Sequence, residues 1–297
     1  MIYGITGNVR KSSLWEPAAR LVQWLIMHQI PFFVHHDLRP GLERTAGITE
    51  FEQGTGGASS ITDVSDIIVS FGGDGTLLRS AHEVGRSETP ILGINIGRLG
   101  FLAAIEVRGM LAAIEQIEAG AYQIDSRTTL EASIDGHANT LPRSWTLNEW
   151  VVEREGPAGL ISMEVRVDGT LLNDYWADGL IIATPTGSTA YSLAAGGPIV
   201  MPGSGVITLS PLAPHALTVR PIVLPDVAVL DIRVNTPGDQ AYILAGDGKS
   251  TSITSPEAQI RIQRGKHRVR LVRLSDQHYF DTLRSKLMWG AAKNKAW

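Results

Sequence analysis

The hydrophobic pattern of this 297-residue chain changes period once, near position 120, and that change limits the fold more than any single motif does. Before it, short apolar runs alternate with helical segments. Residues 2–6 read as a strand, and 16–28 place Ala18, Leu21, Val22, Leu25 and Ile26 at helical spacing. Residues 66–71 form a short buried strand stopped by Gly72-Gly73; 76–84 are helical, and 91–96 are another strand. Strand, helix, strand in this order predicts parallel pairing with right-handed crossovers. After position 120 the period is two. Residues 130–134, 162–167, 229–234 and 259–263 alternate, punctuated by Asp135-Gly136, Asp168-Gly169 and Arg264-Gly265. That predicts an all-β half, a sandwich or a pair of packed sheets. Pro142 and residues 156–159, including Pro157 and Ala158, read as loops inside it. Residues 275–289 return to helical character, with Tyr279, Leu283 and Leu287 four apart.

Composition narrows the classes of function. With 43% hydrophobic and 19% charged residues, a packed core is feasible and disorder is not expected. A net charge of -4 without blocks of like charge gives no basic footprint for nucleic acid. No cysteine is present, which removes disulfides, thiolate metal sites and a thiol nucleophile. Met1-Ile2-Tyr3-Gly4 lacks the basic and apolar regions of a signal peptide, and no apolar run approaches a bilayer's width. The expectation is a soluble cytoplasmic protein with no nucleic-acid or membrane partner.

The strongest local motif is Gly72-Gly73-Asp74-Gly75-Thr76, between a strand and a helix. Consecutive glycines let backbone amides face a ligand, and the following helix adds its positive end, so phosphates have a place to sit. A carboxylate amid such a loop repels phosphate, and makes sense if Asp74 meets a sugar hydroxyl or Mg²⁺ beside it. The plainer reading is a tight turn with Asp74 as a helix cap. No Gly-x-x-x-x-Gly-Lys-Ser/Thr occurs, and Gly4-Ile5-Thr6-Gly7 lacks the third glycine of a dinucleotide fingerprint.

Gly-Gly-Asp-Gly-Thr resembles the loop shared by NAD kinases, diacylglycerol kinases and sphingosine kinases. Later segments single out the NAD kinase family. Residues 95–102 (Asn-Ile-Gly-Arg-Leu-Gly-Phe-Leu), Asn148-Glu149, and 178–192 running on to Gly196-Gly197-Pro198 are similar to its signatures. Pro214-His215, Arg220-Pro221 and 283–289, with Trp289, also fit. The resemblance implies an α/β domain and a β-sandwich-like domain, with the C-terminal helix packing back on the first. Combined with the period change, it predicts an α/β phosphate-loop domain of residues 1–104 with 270–297, and a β-rich NAD-binding domain of 105–269. It also implies ATP as phosphoryl donor, Mg²⁺ or another divalent cation, and a homodimer or homotetramer.

Residue by residue, the resemblance makes Asp74 the contact to the acceptor ribose and the general base. Gly72, Gly73, Gly75 and Thr76 then receive phosphates, with Gly75 also against NAD. Asn148 and Glu149 hold the dinucleotide; Thr189, Ala190, Tyr191, Ser192 and Ala194 line its site, and Asp178 meets the nicotinamide amide. Phe101 is placed to stack on adenine, although its pattern equally suits a core residue. Arg79, one turn into the helix, is placed to reach phosphate, or is an exposed helical arginine. His215 is a site-wall residue. Many relatives have Asp-Gly-Gln where this chain has Asp247-Gly248-Lys249, which leaves the contact of Lys249 to NAD open. No metal held by the protein alone is expected: no histidine pairs with a carboxylate at helical spacing, and His35 and His36, adjacent on a strand, face different ways. Two other readings compete with the NAD kinase: a lipid kinase sharing the glycine loop, and a non-catalytic dinucleotide sensor.

Overall fold

The computed structural model describes residues 1–53, 61–97, 100–103, 105–135, 141, 143–156, 159–255 and 257–288. Arg98 and Leu99 of the 95–102 segment, Gly136, Pro142, Pro157, Ala158 and Trp289 lie outside the described residues, as do 290–297 of the C-terminal segment. The chain divides into two compact units, residues 1–126 with 269–297 and residues 127–268. The first unit includes a helix at 110–118, beyond the expected domain boundary at 104 and before the period change near 120.

In the first unit, β1 (Tyr3–Gly7), α1 (Trp15–Met27), β2 (Phe32–Val34), α2 (Arg39–Ala46), β3 (Glu52–Gln53), α3 (Ile61–Val64), β4 (Ile67–Gly72), α4 (Asp74–Val84), β5 (Ile91–Asn95), β6 (Ile105–Glu106) and α5 (Met110–Glu118) follow in order. Every residue of β1, β4 and β5 is buried, as strands covered on both faces by helices require. The pairings β2–β1, β1–β4 and β4–β5 are parallel, and β3 is an antiparallel edge. Tyr3, Ile5, Leu21, Leu25, Phe71, Leu92, Met110 and Ile114 are among the residues of its core. Because β2 and β4 flank β1 on opposite sides, the crossover direction reverses between β1 and β4. In open α/β sheets a ligand crevice forms at such a reversal, beyond the carboxyl ends of the strands. Gly7 and Gly72 end those two strands.

The second unit begins within β7 (Tyr122–Asp135). It continues through β8 (Trp145–Thr146), β9 (Glu149–Arg154), β10 (Ile161–Val167), β11 (Thr170–Ala177), β12 (Gly179–Ala183), a four-residue α6 (Tyr191–Ala194), β13 (Val206–Leu212), β14 (Ile222–Pro225), β15 (Leu230–Asn235), β16 (Tyr242–Gly246) and β17 (Lys249–Ile253). One sheet runs β14-β13-β12-β9-β16-β17; in the other, β11, β10, β15 and the start of β18 (Gln259–Leu274) pair in order, all antiparallel. Trp150, Val152, Leu180 and Leu244 of the first sheet meet Met163, Val165, Ile232 and Ile260 of the second in one core. This is the expected sandwich. Strand β12 is buried along its whole length because the far face of its sheet is covered too, where Val151, Ile181 and Ala183 pack with Ala195.

The end of β18 belongs to the first unit: Leu271 pairs in parallel with Ile91, and Val272 and Leu274 enter that core. Helix α7 (Tyr279–Leu287) follows in the same unit, with Leu283 buried and Lys286 Nζ 5.9 Å from the Phe101 ring centre. The C-terminal helix thus returns to the α/β unit.

Candidate functional site

Each unit carries its own group of candidate residues. In the first, β4 ends at Gly72, where an added Cβ would lie 2.2 Å from the Thr76 side chain, so this glycine is fixed by packing. Gly73 and Gly75 are different. An added Cβ at either meets nothing within 4 Å, and Gly73 has φ -115°. Neither position needs glycine for space: Gly73 is the helix N-cap, and Gly75, inside the first turn, costs about 1 kcal/mol relative to alanine. Their use is explained by something external that approaches the backbone closely. The first turn of α4 has no side-chain cap; the Thr76 amide donates to the Gly73 carbonyl at 2.9 Å, which leaves the amides of Asp74 and Gly75 to face an anion.

Asp74, the first residue of α4, does not cap the helix. Its Oδ2 accepts the Phe101 amide at 2.8 Å, and its Oδ1 accepts those of Leu102 and Ala103 at 2.9 and 3.2 Å. Gly100 permits this, since a Cβ there would sit 1.9 Å from Oδ1. Buried Asn95 braces the same segment, donating from Nδ2 to the Ala103 carbonyl at 3.2 Å and accepting the Gly97 amide at 2.8 Å. A half-buried carboxylate is thereby held rigidly beside two unencumbered glycines. Arg79 spends one guanidinium nitrogen on the Gly7 carbonyl, 2.7 Å away, and pairs with Glu83 at 3.4 Å; it ties α4 to the end of β1. The half-buried Phe101 presents its ring to Lys286 and its amide to Asp74.

In the second unit the organising residue is Asp247. It occupies the left-handed region (φ 44°) beside Gly248 (φ 75°), in the two-residue turn joining β16 to β17. That turn aims its carboxylate at the amides of Leu147 and Asn148, at 2.7 and 2.9 Å. The carbonyls of Leu147 and Asn148 then take the Thr184 hydroxyl at 2.6 Å and the Thr184 amide at 2.9 Å. Gly187 lies so close that a Cβ would fall 2.2 Å from the Asn148 oxygen. Segment 184–191 is thus fastened along Asn148 and Glu149, and the Tyr191 amide donates to Glu149. Burial, reinforced by the nearby Asp247 carboxylate, pushes the Glu149 carboxyl up to about 8. At neutral pH Glu149 keeps its proton and offers both a donor and an acceptor beside Asn148.

Thr189 and Ala190 are half-buried, and Tyr191 and Ala194 are exposed along the same segment. Ser192 points inward, fully buried, with its hydroxyl 3.0 Å from that of Ser210. Asp178 stands at the opposite end of β12 from Thr184, roughly 20 Å away by strand rise, and its Oδ1 is bound to Arg154 at 2.7 Å. Lys249 and His215 are exposed. Asp247, Thr184, Gly187 and Gly100 were not among the expected site residues, although Asp247 lies in the Asp-Gly-Lys segment compared with relatives and the others lie within the 95–102 and 178–192 segments.

The expectation for His35 and His36 needs correction. Strand β2 stops at Val34, so the two histidines lie in the following turn rather than alternating on a strand, and their ring centres are 4.2 Å apart.

Comparison with known proteins assigns both units to one family. Residues 3–122 match the ATP-NAD kinase N-terminal domain and residues 147–274 the ATP-NAD kinase C-terminal domain. NAD kinase of Chloroherpeton thalassium is 38% identical over 291 residues, covering 98% of each chain. The chain belongs to the NAD kinase family. NAD kinase of Chlorobium phaeovibrioides is 39% identical, over 98% of this chain and 99% of its own. Among solved structures, yeast NADH kinase complexed with NADH superposes with a TM-score of 0.84 at 23% identity, covering 100% of this chain and 89% of its own, and supports the fold. An NAD kinase from Archaeoglobus fulgidus in complex with ATP gives 0.72 at 25% identity, covering 97% of this chain and 99% of its own.

Proposed function

We propose that this enzyme moves the γ-phosphoryl group of ATP onto the 2′-hydroxyl of the adenosine ribose of NAD, giving NADP, with Asp74 holding that hydroxyl. The observation that carries the reading is the Asp74 carboxylate, clamped by three amides of 101–103 beside Gly73 and Gly75. Two of those amides occupy Oδ1, so Oδ2 keeps a lone pair for the hydroxyl. The 2′-oxygen attacks the γ-phosphorus as the bond to the ADP oxygen breaks, and the hydroxyl proton passes to Oδ2. In a loose phosphoryl-transfer transition state that proton leaves late, so holding the oxygen in line is the larger part of the carboxylate's task.

Donor phosphates lie on the loop and first-turn amides of residues 73–75, the Thr76 amide being taken by the Gly73 carbonyl and its hydroxyl left to serve phosphate. A divalent cation, Mg²⁺ in this reading, would neutralise charge on those phosphates. Asp74, the only carboxylate in the loop, has too few free lone pairs to cage it, so phosphate oxygens and water supply most of its ligands. Asn148, protonated Glu149, Thr189, Ala190, Tyr191 and Ala194 hold the dinucleotide. Asp178 meets the nicotinamide amide, and the enzyme works as a homodimer or homotetramer. The work is assigned to the cytoplasm.

Labelled ATP offered with NAD, or with diacylglycerol, tests the reaction. Labelled NADP is expected from the first and no product from the second. Asp74→Asn should lower turnover by about 10³-fold or more while NAD still binds. An Asn variant that turns over normally would remove Asp74 from the chemistry.

A further inference from the structure

We infer that His35, His36 and Asp37 form a binding site for a divalent transition metal of the Zn²⁺ class, on the turn between β2 and α2. The turn is built tightly. The His35 amide donates to the Ile5 carbonyl at 2.9 Å, and the carbonyls of His35 and His36 accept the amides of Leu38 and Arg39 at 2.9 and 3.3 Å. This curl brings three consecutive side chains to one point: one ligand atom from each lies within 4.8 Å of the other two. Among the described residues, no other group of three does so.

The spacing suits a shared ion. His36 Nε2 is 3.1 Å from Asp37 Oδ1, and His35 Nδ1 is 3.7 Å from Asp37 Oδ2. Metal–ligand bonds of about 2.0–2.1 Å in tetrahedral geometry place neighbouring ligand atoms roughly 3.3 Å apart, close to the His36–Asp37 separation; His35 faces the other carboxylate oxygen, and one ligand atom from each residue stays within 4.8 Å of the others. The Asp37 amide donates to His35 Nδ1 at 3.3 Å, which puts the ring's proton on Nε2 and its lone pair on Nδ1. That hydrogen bond is long enough for a metal to replace.

One side of the cluster is anchored and the other is open. The His35 side chain is 19% exposed, against 78% for His36 and 52% for Asp37, so water can complete the coordination. Two imidazoles and one carboxylate select Zn²⁺, Co²⁺ or Ni²⁺ over Mg²⁺, which separates this site from the cation that accompanies ATP. His35 also feels the charges of Glu83 and Arg79 on α4, the helix that begins with Asp74.

The test uses the whole chain, stripped of metal. Zn²⁺ binding is followed by calorimetry, and Co²⁺ binding by its visible absorption. One ion per chain is expected. His36→Asn and Asp37→Asn should each weaken it at least tenfold, and His278→Asn, at an exposed histidine elsewhere, should leave it unchanged. Both His36 and Asp37 are exposed, and circular dichroism checks that the variants fold. Absence of a one-to-one complex, or wild-type affinity in His36→Asn, overturns the inference.

Discussion

Replacing Glu149 by glutamine should change how stability depends on pH. The Glu149 carboxyl is buried beside Asp247 and titrates near 8, against an ordinary value of 4.5. A folded-state value above the unfolded one means the folded protein holds a proton that the unfolded chain has released. Its stabilising contribution is complete below pH 4.5 and is lost as pH rises toward 8. One pKa unit corresponds to about 1.4 kcal/mol, so the shift from 4.5 to about 8 spans about 5 kcal/mol, of which about 4 kcal/mol falls between pH 5 and pH 9. Glutamine copies the shape and the donor of the protonated acid and cannot ionise. Urea unfolding of both proteins across that range, without ligand, is the assay. Wild type should lose stability relative to Glu149→Gln by up to about 4 kcal/mol as pH rises. Parallel curves would mean that Glu149 is ionised at neutral pH, and that the buried proton does not exist.

Two glycine substitutions separate folding from ligand binding. Gly73→Ala adds a methyl into space that holds no protein atom within 4 Å, so stability should fall by no more than about 1 kcal/mol, the cost of alanine at a helix N-cap, while KM for ATP rises several-fold. Unchanged kinetics would place the donor phosphates elsewhere. Gly100→Ala sets a Cβ on Asp74 Oδ1, so kcat should fall about 10²-fold with NAD affinity nearly kept, read by steady-state kinetics and calorimetry. Normal turnover would show that the clamp on Asp74 is not needed.

Much of this architecture could be read from the residues. The alternation of short buried runs with helical spacing found β1, β4, β5, α1 and α4 to within a residue or two at most ends. The glycine loop was placed correctly because a strand stop, glycines and a helix start are all local signals. What escaped was long-range. Asp74 is held by amides about 27 to 29 residues away, and the requirement for Gly100 exists only because of that contact. Asp247 organises Leu147 and Asn148 across about 100 residues of chain. Ser192 sits within a family signature yet faces the interior, which no spacing rule distinguishes from its exposed neighbour Tyr191. The turn after β2 ended the alternation one residue before His35, and a misplaced strand end was enough to send the two histidines to opposite faces.

The sixteen-residue strand Gln259–Leu274 has a consequence for biosynthesis. The α/β unit is interrupted in sequence: its edge next to Ile91 is filled only by Leu271, after the whole sandwich has been translated. Until then β6 covers only the Ile94–Asn95 end of that flank, the Ile91 end of β5 lacks its partner strand, and Val272 and Leu274 are missing from the core. A ribosome therefore finishes the second unit before the first, and a fragment ending at residue 126 would expose a sticky strand edge.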